Sequence, residues 1–413
     1  MEKLLKFKKV YFGLFVVIVS ALFAYRFYQA NSIYPVGDQM GFIVHAQQID
    51  FNYLYFAIFR YTTWSSRLLI ESATMYFSLH ELIFLFSASI ATLILLTCSK
   101  KLSPNLPILP GLLLFIFFPR TLFVSAGPIP TYTNYIFPAS LLIFSLYYRA
   151  SKYMLIKILS MIFFVFSIMQ EQLAIYSFLW LLFECVRNFK NRSLKKFDIV
   201  YLTFSICAIL SVKLSPGNSI RMIQETQNWF PNFNRLNLIQ KISLGILESG
   251  ENLLTISKTY LFIPFFLVLI LIFSLLTKRV LSFILSAFVI LLMIVSKFKF
   301  KLSLYKIFLI SKNVKKTGLF VNNIENYSAV FIYLVVFILI LLSLFFVIDK
   351  EKRVWYVYLL TIGMVGRMLI SFSPTIYASG PRTHLPVMIS LFIISCGLIS
   401  DLILLFNRKR CVV

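Results

Sequence analysis

Val10-Tyr11-Phe12-Gly13-Leu14-Phe15-Val16-Val17-Ile18-Val19-Ser20-Ala21-Leu22-Phe23-Ala24 decides the fold of this chain. The run carries no charge and follows a basic start, Lys3 to Lys9. That order mimics a signal peptide. The run is long, however, and no convincing small-residue cleavage site precedes the polar stretch after it, so it reads as a retained first membrane helix. Comparable runs of about 17–25 apolar residues recur to the end of the chain, each long enough to cross about 30 Å of hydrocarbon. The chain is 413 residues long and 60% hydrophobic, a level a soluble core does not need. The expected fold is an all-α polytopic membrane protein, a single integral membrane domain over 1–413.

The candidate spans are 10–29, 81–98, 105–123, 134–148, 154–170, 172–186, 197–213, 259–277, 280–296, 328–348, 354–373 and 385–406, about 12 in all. The formal net charge is +25. Such an excess can signal nucleic acid. Here the cations cluster in alternate short loops: Lys3 to Lys9, Lys100-Lys101, Arg149 to Lys157, Arg187 to Lys196, Lys278-Arg279, Lys350 to Arg353 and Arg408 to Arg410. That is orientation charge, and it places these loops and both termini on the cytoplasmic side of the plasma membrane. No nucleic acid partner is expected; the surrounding partner is membrane lipid.

The external face then consists of 30–80, 119–135, 170–172, 214–258, 297–327 and 373–384. Within 30–80, Phe51 to Phe59 and Leu68 to Phe77 read as helices lying along the interface. One loop breaks the charge rule: 297–327 carries Lys297, Lys299, Lys301, Lys306, Lys312, Lys315 and Lys316. Either it is an amphipathic segment on anionic lipid or a nearby span is miscounted. The clean alternation elsewhere favours the first. Cys98, Cys185, Cys207, Cys396 and Cys411 show no CxxC spacing, and neither a disulfide framework nor a metal site is expected.

Acids are scarce, 15 Asp and Glu in the whole chain. Asp38, in Tyr34-Pro35-Val36-Gly37-Asp38-Gln39, therefore stands out just beyond the first span. A carboxylate partly withdrawn from water can take a proton from a hydroxyl during attack. Arg67, Arg120, Asn134, Glu171, Arg221, Arg367, Arg382 and His384 fall on the same predicted face. Charge near hydrocarbon is costly and usually faces a cavity or a partner. Trp64 and Arg67, three apart, are expected on one helix face, where Arg67 would hold Asp38 or a phosphate.

Ser215-Pro216-Gly217-Asn218-Ser219-Ile220-Arg221 reads as a turn whose backbone N–H groups, with Arg221, bind an anion. Gln170-Glu171-Gln172 supplies a second acid or amides for a sugar. Thr131-Tyr132-Thr133-Asn134-Tyr135 offers the amide, hydroxyl and aromatic face that suit a pyranose, although an ordinary aromatic belt has the same composition. Arg382 and His384 are placed to neutralise a phosphate leaving group. Arg120 reads equally as a snorkelling cation at a helix end.

No Walker, dinucleotide, zincin or nucleophile-elbow string is present. Nor is there a cytoplasmic domain to hold a nucleotide sugar. Were a sugar transferred, its donor would have to arrive on a lipid.

At these residues the chain resembles the GT-C superfamily of multi-pass glycosyltransferases, and more closely a family of bacterial GT-C-like membrane proteins. That family's pattern is an acid pair after the first span, Trp-x-Gly-Arg, an Asn-aromatic-Pro region, a Glu-Gln turn and Pro-Gly-Asn-x-x-Arg. Asp38, Trp64 with Arg67, Asn134 to Pro138, Glu171-Gln172, and Pro216-Gly217-Asn218 with Arg221 follow in that order, so the resemblance covers roughly 1–390. Gly37 stands where the first acid would be, leaving Asp38 alone as base, and Ser66 replaces the Gly before Arg67.

The resemblance implies that Asp38 deprotonates a glycan acceptor, which attacks a polyprenyl-phosphate sugar donor with inversion. Arg67, Arg120 and Arg367 would serve the donor, while Arg221, Arg382 and His384 would meet around the departing phosphate. Asn134, Tyr135, Glu171, Gln172 and Asn218 would contact sugar. No metal cofactor is demanded, although some relatives use one. Two other readings fit many spans: a polysaccharide polymerase, which would use an Arg-rich external loop such as 214–258, and a transporter or lipid-linked sugar flippase, which needs polar residues at mid-span.

Overall fold

The computed structural model describes residues 2–33, 37–257, 259–298, 303–317 and 320–410. Tyr34, Pro35, Val36, Lys299, Lys301 and Cys411 lie outside them. Every regular element among the described residues is helical. In chain order the first half forms α1 (Glu2–Ile33), α2 (Asp38–Gln48), α3 (Tyr53–Thr63), α4 (Leu68–Leu79), α5 (Glu81–Thr97), α6 (Ser99–Leu102) and α7 (Leu109–Phe117). It continues with α8 (Pro128–Thr131), α9 (Phe137–Tyr148), α10 (Met154–Ser167), α11 (Glu171–Lys190), α12 (Lys196–Leu214) and α13 (Pro216–Trp229). The second half forms α14 (Leu238–Leu254), α15 (Phe262–Leu276), α16 (Val280–Phe298), α17 (Ser303–Thr317), α18 (Ile324–Val347), α19 (Lys350–Met368) and α20 (Leu385–Arg410). Packing divides the chain into two compact units, 1–221 with 403–413, and 222–402.

Among the described residues, six stretches are long and apolar enough to cross a membrane: Lys9–Asn31, Lys196–Leu214, Val280–Phe298, Ile324–Val347, Lys350–Phe372 and Gly380–Asn407. The protein is thus an all-helical membrane protein. Of the other expected spans, 172–186 lies in the 20-residue α11, which carries charge at both ends, and the rest form shorter helices. The clearest departure is 105–123, where α7 has nine residues and rises only about 13 Å at 1.5 Å per residue. Pro119 ends it, and Arg120–Leu122 makes a short, tighter turn.

The first unit is built around α1, which packs on α5, α7 and α8, with α5 also against α9. The expected external segment 30–80 is three helices rather than two. Asn52 starts α3 by accepting from the Tyr55 N–H at 2.9 Å, the usual work of an N-cap side chain. Phe42 and Ala46 of α2, Phe56 of α3 and Met75 of α4 close into one apolar core. Between α8 and α9 the chain makes one wide turn, Tyr132–Ile136, with five residues to the hydrogen-bonded ring. Such turns displace a helix's register and recur at functional positions.

In the second unit α14 packs on α17, α18 and α19. It opens with a capping box, Asn237 and Gln240 each bonding the other's backbone N–H at 2.9 Å. The segment 214–258, expected as a long loop, is therefore mostly α13 and α14. The lysine-rich stretch contains α17, whose buried residues Ser311 and Val314 face α14 and α18 while Lys312 and Lys316 are exposed.

Candidate functional site

In the first unit, three residues singled out from separate strings meet. Arg67 is the residue before α4, Asn134 sits in the wide turn, and Glu171 begins α11. Arg67 Nε donates to both Glu171 oxygens at 3.0 and 2.9 Å, and its Nη2 reaches Oε2 at 2.6 Å. The remaining arm, Nη1, donates to Asn134 Oδ1 at 2.9 Å. The amide nitrogen of Asn134 donates in turn to Pro130 O at 2.9 Å and Thr74 Oγ1 at 3.3 Å. Thr74 also meets Thr133 at 2.7 Å. The planar guanidinium fits this fork in a way an ammonium cannot.

Burial opposes both charges, yet the Arg67 guanidinium holds the Glu171 carboxyl below the usual carboxylate range, with Arg221 contributing. The carboxylate raises Arg67 despite the same burial. The wide turn explains Asn134: its backbone is already bent out of regular helix, so the amide faces α4.

Trp64 does not share a helix face with Arg67, as the spacing suggested. Trp64 closes α3 and Arg67 precedes α4, so the pair straddles a helix break. The Trp64 ring instead meets two guanidinium groups, Arg60 at 5.0 Å and Arg221 at 5.4 Å. Arg60 is anchored by Glu71 at 3.0 Å, and Ser65 donates to the same carboxylate at 2.8 Å. Sequence reading missed the Arg60–Glu71 pair, although an acid in an apolar helical stretch was signal enough.

Pro216-Gly217 is not the free turn that the sequence suggested. Pro216 opens α13, where its missing N–H costs nothing. A Cβ on Gly217 would strike the Trp64 nitrogen and the Tyr61 and Arg60 carbonyl oxygens. Gly217 therefore lets the start of α13 rest against the end of α3, and Ser215 Oγ seals the contact by donating to Tyr61 O at 2.7 Å. Asn218, expected at a sugar, donates to Val212 O at 2.7 Å.

Asp38 is exposed at the first turn of α2. Its N–H donates to Ala126 O at 3.1 Å. Gly37 has φ +118°, and a Cβ there would lie 2.7 Å from the Ala126 carbonyl carbon. An acid at 37 would meet both obstacles, a backbone angle that L side chains rarely adopt and a main-chain neighbour in the way. Arg120 is half-buried and within electrostatic reach of Arg26, whose guanidinium donates to Phe118 O. Tyr135 is buried against Phe123, ring centroids 6.4 Å apart, and Gln172 is buried beside Gln170.

Arg367, Arg382 and His384 belong to the second unit. Arg367 lies in α19 with 0% exposure, and its Nη1 donates to Thr383 Oγ1. Its Nε and Nη2 have no hydrogen-bond partner among the described residues. His384, equally buried, faces Pro381 O through Nδ1 at 3.2 Å, and its Nε2 is likewise unpartnered among the described residues. Arg382 is half-buried on the same short turn, Gly380–His384. Comparison with protein families, curated proteins and solved structures finds no match for this chain.

Proposed function

We propose that this protein is a membrane glycosyltransferase of GT-C-like architecture, taking a sugar from a polyprenyl-phosphate donor and placing it on a cell-surface glycan. One observation carries the reading. Arg67, Asn134 and Glu171 come from separate strings of the sequence pattern and close into one hydrogen-bonded cluster. Membrane bundles do not bury such charges without cost, and the same unit presents Asp38 at the start of α2.

In this reading Asp38 is the base that takes the acceptor proton. Arg67 is a positioning residue, its fork already filled by Glu171 and Asn134. Arg221, in the same unit as Asp38, is the cation offered to the departing phosphate, where developing charge makes a fixed cation most effective. About 12 membrane crossings, cytoplasmic termini and an external active face complete the proposal. A polymerase using a long Arg-rich loop is the weaker reading, since Arg221 lies in α13 and 238–254 is helical.

The test is Asp38→Asn, with surface glycan and membrane-inserted protein measured together. The expected outcome is loss of glycan at an unchanged protein level, because Asp38 is exposed and the amide keeps the size and shape of the carboxylate. Near-normal glycan would remove Asp38 as the base.

A further inference from the structure

The second unit holds a polar cluster around Arg367 that the transferase reading leaves unused. Glu248 and Glu251 lie three apart on α14, so they share a face. Glu248, 5% exposed, accepts from Asn252 Nδ2 at 3.2 Å and pairs with Lys315 of α17 at 3.6 Å. Glu251 accepts from Ser311 of the same helix at 3.0 Å. Lys315 also stands 5.4 Å over the Tyr377 ring. On the other side, Tyr260 meets His384 edge to face, ring centroids 5.4 Å apart. Glu248 and Tyr260 both act electrostatically on Arg367.

The bonding capacity of this cluster is unevenly used. Among the described residues, neither acid comes within ion-pair distance of Arg367. The guanidinium keeps two unpartnered nitrogens and His384 one. A fully buried guanidinium left this way costs several kcal/mol unless something accepts from it. The charges also constrain what that acceptor is. Glu248 is paired with Lys315 and Glu251 with Ser311, so two carboxylates already stand at the cluster. A phosphate would satisfy Arg367 but add negative charge beside two carboxylates. Hydroxyl groups suit every member: they accept from a guanidinium, donate to a carboxylate and bond either way with an imidazole nitrogen. Tyrosine rings supply the flat apolar face that a sugar ring covers.

We propose that Arg367, His384, Tyr260, Glu248 and Glu251 form a binding site for an uncharged sugar. This moves Arg367 and His384 from the phosphate, where the sequence placed them, to a polyhydroxylated ligand. Identifying that sugar as the glycan acceptor rests on the transferase reading; the sugar site itself does not. Helix α17 is part of the site, since Lys315 and Ser311 tie both acids to it.

The experiment is thermal unfolding of the full chain in detergent, titrated with the neutral trisaccharides maltotriose, mannotriose and chitotriose and, separately, with inorganic phosphate. A ligand that binds only the folded state raises its midpoint by mass action. At least one trisaccharide is expected to give a saturable rise and phosphate none. Glu251→Gln and Arg367→Lys should each weaken the sugar response about tenfold, the loss of one charge-assisted hydrogen bond. Glu251 is half-buried, so its Gln variant keeps the test alive if Arg367→Lys does not fold.

A phosphate response abolished by Arg367→Lys would make this an anion site and overturn the proposal. So would the absence of any trisaccharide response, or one untouched by Glu251→Gln. Asp38→Asn separates the two readings, because it should retain the sugar response while losing transfer. A wild-type protein that binds sugar but transfers none keeps the site and loses the transferase. One that transfers sugar, with Glu251→Gln leaving acceptor KM unchanged, does the reverse.

Discussion

At the scale of single residues, the Arg67–Glu171 pair is the sharpest case. Both side chains are mostly buried, 13% and 22% exposed. Removing one partner from such a pair strands the other charge and costs about 3 kcal/mol. Glu171→Leu is therefore expected to lower the unfolding midpoint clearly, as is Arg67→Met. The double variant Arg67→Met/Glu171→Leu should recover most of that loss, because no charge is left stranded, yet recover no transfer activity. A double-mutant cycle on unfolding midpoints checks the first expectation, and surface glycan the second. The pH dependence has a definite sign. Glu171 is held below its ordinary range, so the pair's contribution is complete above that range and fades only as pH falls through the depressed value. These residues were legible in the sequence because charge in an apolar chain is expensive. Their pairing was not, since 104 positions separate Arg67 from Glu171.

At the scale of elements, Gly217 decides how α13 meets α3. Gly217→Ala pushes a methyl group into main-chain atoms of Arg60, Tyr61 and Trp64. Backbone yields poorly, so the expected cost is about 1–3 kcal/mol. Gly13 is the matched control. A Cβ there meets nothing within 4 Å, and Gly13→Ala should be neutral or stabilising by up to about 1 kcal/mol. Unfolding midpoints of both variants in one detergent settle the comparison. Elements were legible where hydrophobic length was the signal, as in 197–213 and 280–296. They were misread where a break intervened: Trp64 and Arg67 have helical spacing but no shared helix. Glu248 and Glu251 were overlooked because 214–258 was read as a loop, which hid their common face.

At the scale of the whole molecule, the alternation of basic loops predicts cytoplasmic termini and an external segment from Ser215 to Lys258. No native cysteine lies between 208 and 395. Asn228→Cys in a variant lacking the other cysteines should react with an impermeant maleimide added to intact cells. Labelling only after the inner face is opened would invert the topology, and with it the side on which the donor is used. The main-chain contact between Asp38 and Ala126 has a consequence for how the protein tolerates change. Since the bond uses Ala126 O and no side chain, almost any letter at 126 can hold the acid in place. What the contact counts is spacing. A single inserted or deleted residue between Phe123 and Gly127 would shift the acid while leaving every side chain near it intact. A scan by substitution at 126 would pass over this dependence on spacing, and a scan by length would find it.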